Sequence, residues 1–316
     1  MAHSDVGVNA AENRSLRGFL QLSRLPFLSP GLAAIITGIC LALIGGSEPE
    51  WPLVGMSVVG VVFIMLATYY FNEYYDYEGD RINKTHTKFS GGGRALVDAN
   101  VPRRFAKIAG WSSVGVLAVI ALVYLVFYFS DYPCLLPLAL FGAFCGVFYS
   151  HPPFQWSYQG IGEIVIGGCY GVLTILSGYY LTSGTVEPDM LLIGIPASLT
   201  VFGIIQVNEL PDLEADRAVG KNTLVVRLGL KGGAVAYVAA MALAYPFMAA
   251  SIMVGTNPSI LLFGLPVLAL SIIIMVVAAR GGYATRRGQE TMGGLTILAN
   301  IFASLMFVAA GYWAVF

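Results

Sequence analysis

Apolar residues recur along this chain in uninterrupted blocks, separated by short polar connections. The blocks fall at approximately 27–46, 51–71, 106–130, 132–149, 160–182, 189–209, 234–254, 259–279 and 294–314. Each is close to the ~20 residues that an α-helix needs to cross a hydrocarbon core of ~30 Å. The blocks are apolar on all sides rather than alternating, which argues against barrel strands. Their internal Gly and Pro residues, among them Pro30, Gly38, Gly167, Gly168, Pro196 and Pro246, are of the kind that membrane helices tolerate as kinks or use for close packing. The pattern predicts an all-α integral membrane protein: a bundle of nine transmembrane helices over residues 21–316, preceded by a polar N-terminal tail, residues 1–20. That tail has no apolar core of the kind a cleavable signal peptide carries.

Composition sharpens this picture. The 316 residues are 57% hydrophobic and only 11% charged, against about 25% charged in a soluble domain. A net charge of −1 offers no basis for a polyanionic partner, so no nucleic acid is expected. On the nine-span layout all 17 Lys and Arg fall in loops: the N-terminal segment and the connections after spans 2, 6 and 8. These lie on one side of the membrane. The positive-inside rule makes that side cytoplasmic, with the C-terminus on the other. Cys40, Cys134, Cys145 and Cys169 form no CxxC pattern and read as packing residues. His151 reads as polar trim in a loop, and Tyr69, Tyr70, Tyr74, Tyr75 and Tyr77 as an interfacial belt.

Two acidic clusters carry the chemistry. Span 2 ends in Asn72-x3-Asp76-x3-Asp80, and span 6 ends in Asn208-x3-Asp212-x3-Asp216. Each residue of the first cluster lies 136 positions before its counterpart, an internal pseudo-repeat four helices apart. A spacing of four stacks three side chains on one helical face. Stacked like charges are costly unless a cation neutralises them. Oxygen-only ligands suit a hard cation such as Mg²⁺, which takes one or two carboxylates together with waters and substrate phosphates. Two such faces could hold Mg²⁺ and a diphosphate between them. Basic residues lie nearby: Lys88 and Arg94 around the run Gly91-Gly92-Gly93, Arg217 and Lys221 after the second cluster, and Arg24 at the start of span 1. Cations and a Gly-rich turn can grip phosphate oxygens. Solvated carboxylate caps would explain one cluster, but not two matched clusters at corresponding helix ends. A transporter is the rival reading from another class. Carrier sites lie near the bilayer midplane, however, and these clusters lie at helix ends.

The paired Asp-rich motifs resemble those of the UbiA superfamily of intramembrane prenyltransferases, and the resemblance covers nearly the whole chain. The stretch 208–229 is its most specific piece. With residues 72–77 and 91–98, it is similar to the menaquinone-type branch, the 1,4-dihydroxy-2-naphthoate prenyltransferases. Residues 158–163 follow that branch as well, whereas Tyr149-Ser-His-Pro-Pro-Phe154 is similar to the corresponding loop of chlorophyll-synthase-like and homogentisate-type members. The resemblance implies that Asn72, Asp76, Asp80, Asn208, Asp212 and Asp216 hold Mg²⁺. It makes Lys88, Arg94, Arg24 and Lys221 candidate diphosphate contacts, and Tyr149 a candidate to position substrate or stabilise a cation through its ring face. The implied partners are a polyprenyl diphosphate, an aromatic acceptor and the lipid bilayer. The implied reaction releases diphosphate, forms an allylic carbocation and lets an aromatic carbon attack it. In the naphthoate branch the acceptor also loses CO₂. Other acceptors used within the superfamily (4-hydroxybenzoate, homogentisate, chlorophyllide, haem or a glyceryl-phosphate lipid) are the alternatives.

Overall fold

The computed structural model of the protein describes residues 18–88, 93–99 and 101–315. Nine long helices follow the apolar blocks: α1 (Ser29–Ile44), α2 (Trp51–Ile82), α3 (Arg103–Phe127), α4 (Leu135–Phe148), α5 (Gly162–Ser183), α6 (Asp189–Glu209), α7 (Leu224–Ala250), α8 (Ile260–Ala279) and α9 (Arg286–Val315). No strand is present among the described residues. Eight of these helices are long and apolar enough to cross a membrane, α1 counted together with the turns that lead into it from Gly18. The exception is α4, with 14 residues. At 1.5 Å per residue it spans roughly 21 Å, short of the ~30 Å core.

The structure corrects where the helices end. Arg81, Arg103, Arg104, Lys107, Arg217, Arg227, Lys231, Arg286 and Arg287 lie on helices rather than in loops. Hydropathy marks where lipid stops, whereas backbone hydrogen bonding continues into the polar region. So α2 runs past its apolar block to Ile82 and carries Asn72, Asp76 and Asp80 on one unbroken helix. The second motif does not repeat this. The chain leaves α6 at Glu209, turns through Leu210-Pro211-Asp212, and re-enters a short helix, Leu213–Ala218. Pro211 has no N–H with which to continue the ladder. Asn208, Asp212 and Asp216 therefore do not share one helical face.

Close helix approach depends on glycine at two positions. A Cβ at Gly38 would stand 2.1 Å from the Ile175 carbonyl oxygen, and one at Gly178 would stand 2.4 Å from that of Ile35. The α1 and α5 backbones touch at these points, as membrane helices do at small residues. Within α5, residues Cys169–Leu173 form a π-helical turn. The Thr174 hydroxyl bonds the Cys169 carbonyl at 2.7 Å, and the Val172 N–H donates to Ser198 Oγ of α6 at 3.1 Å. Turns of this kind recur at functional sites. Apolar packing closes the remaining helices around α9, with Phe307 in one buried cluster with Ile175 and Met248, and Met292 in another with Tyr237 and Met241.

The connection between α4 and α5 folds over the end of α2. The ring of His151 lies edge-on to Phe71, Tyr75, Trp111 and Phe148, with centroids 5.3–6.0 Å away. His151 is thus an anchor in an aromatic cage rather than polar trim. The tyrosine belt also divides. Tyr69 and Tyr70 are buried, the first donating to the Phe27 carbonyl at 2.6 Å and the second bonded to Ser23 Oγ at 2.9 Å. Tyr74 and Tyr77 instead lie under the Arg103 guanidinium. The four cysteines are free.

Candidate active site

The ends of α2 and α6 face one another across a cavity of about 150 Å³. Arg24, Asn72, Asp76, Tyr149, Asn208, Asp212, Asp216 and Lys221 all line it. The structure therefore brings together eight of the residues singled out from sequence. Asp80, Lys88 and Arg94 do not line it. Asp80 is buried one turn beyond Asp76, and Lys88 is exposed beside residues 89–92, which include Gly91 and Gly92 of the glycine run and lie outside the described residues. Arg94 has φ 49° and turns away, pairing with Asp98 at 3.1 Å and donating to the Asp80 carbonyl at 2.6 Å.

Asp76 is held by three side chains. Its Oδ2 accepts from Asn72 Nδ2 and from Lys221 Nζ, both at 2.7 Å, while Oδ1 accepts from the Tyr158 hydroxyl at 3.1 Å. Asn72 is held in turn, with its carbonyl oxygen accepting from Arg24 at 2.9 Å and its amide donating to Ser150 at 3.2 Å. Asp212 accepts from the amide of Asn83 at 2.7 Å. That amide is itself oriented, because Asn83 Oδ1 accepts from the backbone N–H and hydroxyl of Thr85.

Charge at the site is balanced across the repeat. Lys221 reaches Asp76 in the first motif and, at 3.5 Å, Asp216 in the second. Burial opposes its charge, but Asp76 and then Asp216 more than offset this and hold the ammonium well above its ordinary value. Burial raises the Asp216 carboxyl against the pull of Lys221. Tyr158 and Tyr149 are pushed upward chiefly by burial, then by neighbouring carboxylates (Asp76 for the first, Glu209 and Glu163 for the second), so both phenols stay protonated.

Several contributors were missed from sequence. Both motifs contain a Glu directly after the Asn, and these two also lie 136 residues apart. Their fates differ. Glu73 is buried and committed to structure, accepting from Arg24 at 2.9 Å and from the N–H groups of Gly93 and Ala95. Glu209 lines the cavity, and its Oε2 has no hydrogen-bond partner. The doubled Asn-Glu was a readable signal. Ser150, Tyr158 and Asn83 were not readable as site residues, because their partners lie 78, 82 and 129 residues away in sequence.

Among the described residues, no three His, Cys, Asp or Glu side chains converge tightly enough to hold a metal by themselves. The donor set nevertheless fits a hard cation. One cationic atom, Lys221 Nζ, already reaches a carboxylate from each motif. Carboxylate and amide oxygens that leave coordination positions for water and phosphate are the ligands such an ion takes. Beside the polar cavity lies an apolar one of about 330 Å³ between α2, α3, α4 and α5, and Tyr170 of the π-helical turn lines both.

Comparison with known proteins agrees with this architecture. Residues 32–292 match the model of the UbiA prenyltransferase family. A 1,4-dihydroxy-2-naphthoate octaprenyltransferase from Bacillus subtilis (strain 168) is 28% identical over 250 residues, 79% of this chain and 78% of that protein. A chloroplastic chlorophyll synthase from Avena sativa is 28% identical over 161 residues, 51% of this chain and 40% of that one. The structure of a UbiA homologue from Archaeoglobus fulgidus bound to GPP and Mg²⁺ superimposes with a TM-score of 0.64 at 16% identity, covering 94% of this chain and 99% of that one.

Proposed function

The chain belongs to the UbiA prenyltransferase family, and from that premise we propose that it transfers a polyprenyl group from an isoprenoid diphosphate to 1,4-dihydroxy-2-naphthoate, with Mg²⁺ at the paired motifs. It is a multi-pass integral membrane prenyltransferase, which sets the carrier reading aside. The observation that carries the proposal is the juxtaposition of the two cavities. One is acidic and lined by both motifs, the other almost wholly apolar, and they meet at Tyr170. A diphosphate with a long hydrocarbon tail has the same two-part character.

Asn72, Asp76, Asn208, Asp212 and Asp216 are the residues that would hold the metal. Bound there, Mg²⁺ would supply positive charge against the departing diphosphate. Arg24 and Lys221 add cationic donors in the same cavity, so negative charge developing on the leaving oxygen is met by fixed positive groups. The C–O bond of the allylic diphosphate breaks with its electron pair leaving on oxygen. The aromatic ring then forms the new C–C bond. In the naphthoate acceptor the bond to the carboxyl group breaks, its electron pair stays in the ring, and CO₂ leaves. Tyr149 lines the same cavity, and its ring face would stabilise the cation. The surrounding apolar side chains, Ile166, Val201, Ile204 and Ile205, keep water from intercepting it.

The naphthoate acceptor is supported by the Bacillus relative's activity and by the motif sequences, while the similarity to chlorophyll synthase keeps larger ring acceptors as the second reading. The clustering of basic residues at the motif end supports a cytoplasmic site, with the C-terminus across the membrane. Purified protein given Mg²⁺, labelled geranylgeranyl diphosphate and a panel of aromatic acceptors tests the proposal. Transfer to dihydroxynaphthoate is the expected result. Transfer only to another acceptor would overturn the naphthoate assignment.

A further inference from the structure

Lys221 occupies the position of a bridging cation between the two halves of the repeat. Its ammonium lies 2.7 Å from Asp76 Oδ2 and 3.5 Å from Asp216 Oδ1, one carboxylate from each motif. All three side chains are largely withdrawn from water, with 10–13% of their surface exposed. The backbone fixes the arrangement. After the second motif the chain reverses at Gly220, φ 79°, and the Lys221 N–H donates to the Asp216 carbonyl at 2.9 Å, which folds the side chain back over the motif it follows. The ring of Tyr158, whose hydroxyl donates to the same Asp76, lies 5.1 Å from the ammonium.

This geometry leaves little room on Asp76 for a further cation. A carboxylate offers about four lone-pair positions. Tyr158, Asn72 and Lys221 use three of them. The other cation of the cavity is not comparable, since Arg24 is committed to Asn72 and Glu73 in the first half alone. Lys221 is the residue whose contacts reproduce, with a single positive charge, what a divalent ion between the motifs would make.

We infer that Lys221 is a displaceable internal counterion that couples metal entry to diphosphate entry. Without metal, its ammonium is the positive charge shared by Asp76 and Asp216. A divalent ion binding alone must compete with that ammonium for the same oxygens. An ion arriving with a diphosphate meets no such opposition, because the released ammonium gains a phosphate oxygen in exchange. Each ligand therefore strengthens the binding of the other, as linkage requires. The inference rests on the metal–diphosphate reading above. It adds to that reading a coupling between the two ligands and a reason why metal alone would bind the acidic cavity weakly.

The test measures Mn²⁺ binding to the purified full-length chain, by the electron-spin-resonance signal of free Mn²⁺, with and without inorganic diphosphate. In the wild type, diphosphate is expected to tighten Mn²⁺ binding by about 10-fold or more. Lys221→Met should bind Mn²⁺ alone at least about 5-fold more tightly than the wild type, and the enhancement by diphosphate should shrink to within about 2-fold. Lys221→Arg, which keeps the cation, should retain most of the enhancement. Thermal unfolding confirms that each variant is folded, and Lys221→Gln carries the same comparison if the Met variant is not. A Met or Gln variant that binds Mn²⁺ alone no more tightly than the wild type, or that keeps the full enhancement, overturns the inference. Absence of Mn²⁺ binding to the wild type both with and without diphosphate would overturn the metal–diphosphate reading itself.

Discussion

The side-chain amide of Asn83, at the foot of α2, donates to Asp212 Oδ1 at 2.7 Å, so the first half of the repeat holds the central aspartate of the second. Asn83 is buried, and Thr85 fixes which way its amide points. A hydrogen bond to a charged group is worth about 1.5–3 kcal/mol. Asn83→Ala should therefore raise the Mg²⁺ concentration needed for half-maximal activity by roughly tenfold, while the rate at saturating Mg²⁺ stays near that of the wild type. Asn83→Asp should be worse, because it sets a second carboxylate against Asp212. A Mg²⁺ titration of transfer activity that is unchanged in both variants would refute this role.

Asp76 and Asp212 are the central carboxylates of the two motifs, and both line the polar cavity. Replacing either with Ala removes an oxygen ligand where leaving-group charge must be met. Prenyl transfer should fall by at least about 100-fold. Membrane insertion should be unaffected, since neither residue belongs to an apolar block. Chelation of divalent ions should abolish activity in the wild type, and added Mg²⁺ should restore it. Full activity in either purified variant would contradict the assignment.

The Tyr158 hydroxyl donates to Asp76 and lies equally close to the Tyr75 carbonyl, 3.1 Å from each. Tyr158→Phe keeps the ring beside Lys221 and removes only this donor. The turnover rate should drop about 10-fold or more, from loss of a bond to a charged acceptor. Preference among prenyl chain lengths should not change, because Tyr158 does not line the apolar cavity. A changed chain-length profile would place Tyr158 in a different role.

The contact between Gly38 and Gly178 should tolerate no side chain. A Cβ at either position meets a backbone carbonyl oxygen, which cannot move aside as a flexible side chain can. Overpacking of a core costs about 1–3 kcal/mol or more. Gly178→Val should lower the unfolding temperature in detergent by several degrees or prevent accumulation of folded protein. Gly168→Ala, on the same helix with open space at its Cβ, is the matched control and should be near neutral.

Much of this was legible before any coordinates. Nine apolar blocks became nine helices, because membrane-length apolar runs admit few other structures. The 136-residue offset paired α2 with α6, and both helices deliver their motifs to one cavity. Hydropathy does not show how far a helix continues beyond lipid: Arg103 and Lys107 read as loop residues, yet they open α3. Spacing alone suggested that the second motif stacks like the first, and Pro211 breaks it. Asn83 and Tyr158 are not legible for a different reason. Each acts through a carboxylate far away in sequence, and nothing local marks an Asn or a Tyr as someone else's partner. Arg94 illustrates the converse: its position beside a glycine run suggested phosphate, but its guanidinium serves Asp98 and the Asp80 carbonyl.

The π-helical turn at Cys169–Leu173 sets the phase of α5. A wide turn carries one residue more than an α-helical turn, and each residue of an α-helix advances the azimuth by about 100°. Upstream of the turn, Ile166 faces the polar cavity. Downstream, Gly178 faces α1. One extra residue thus lets a single helix serve two clients that a regular helix would place out of step. Deleting it would rotate the whole segment Thr174–Ser183 by roughly a quarter turn, carry Gly178 off Ile35 and bring a bulkier neighbour onto the crossing. The length of this helix is therefore constrained to the single residue, and an otherwise harmless deletion in its lipid-embedded interior should be as damaging as loss of a motif aspartate.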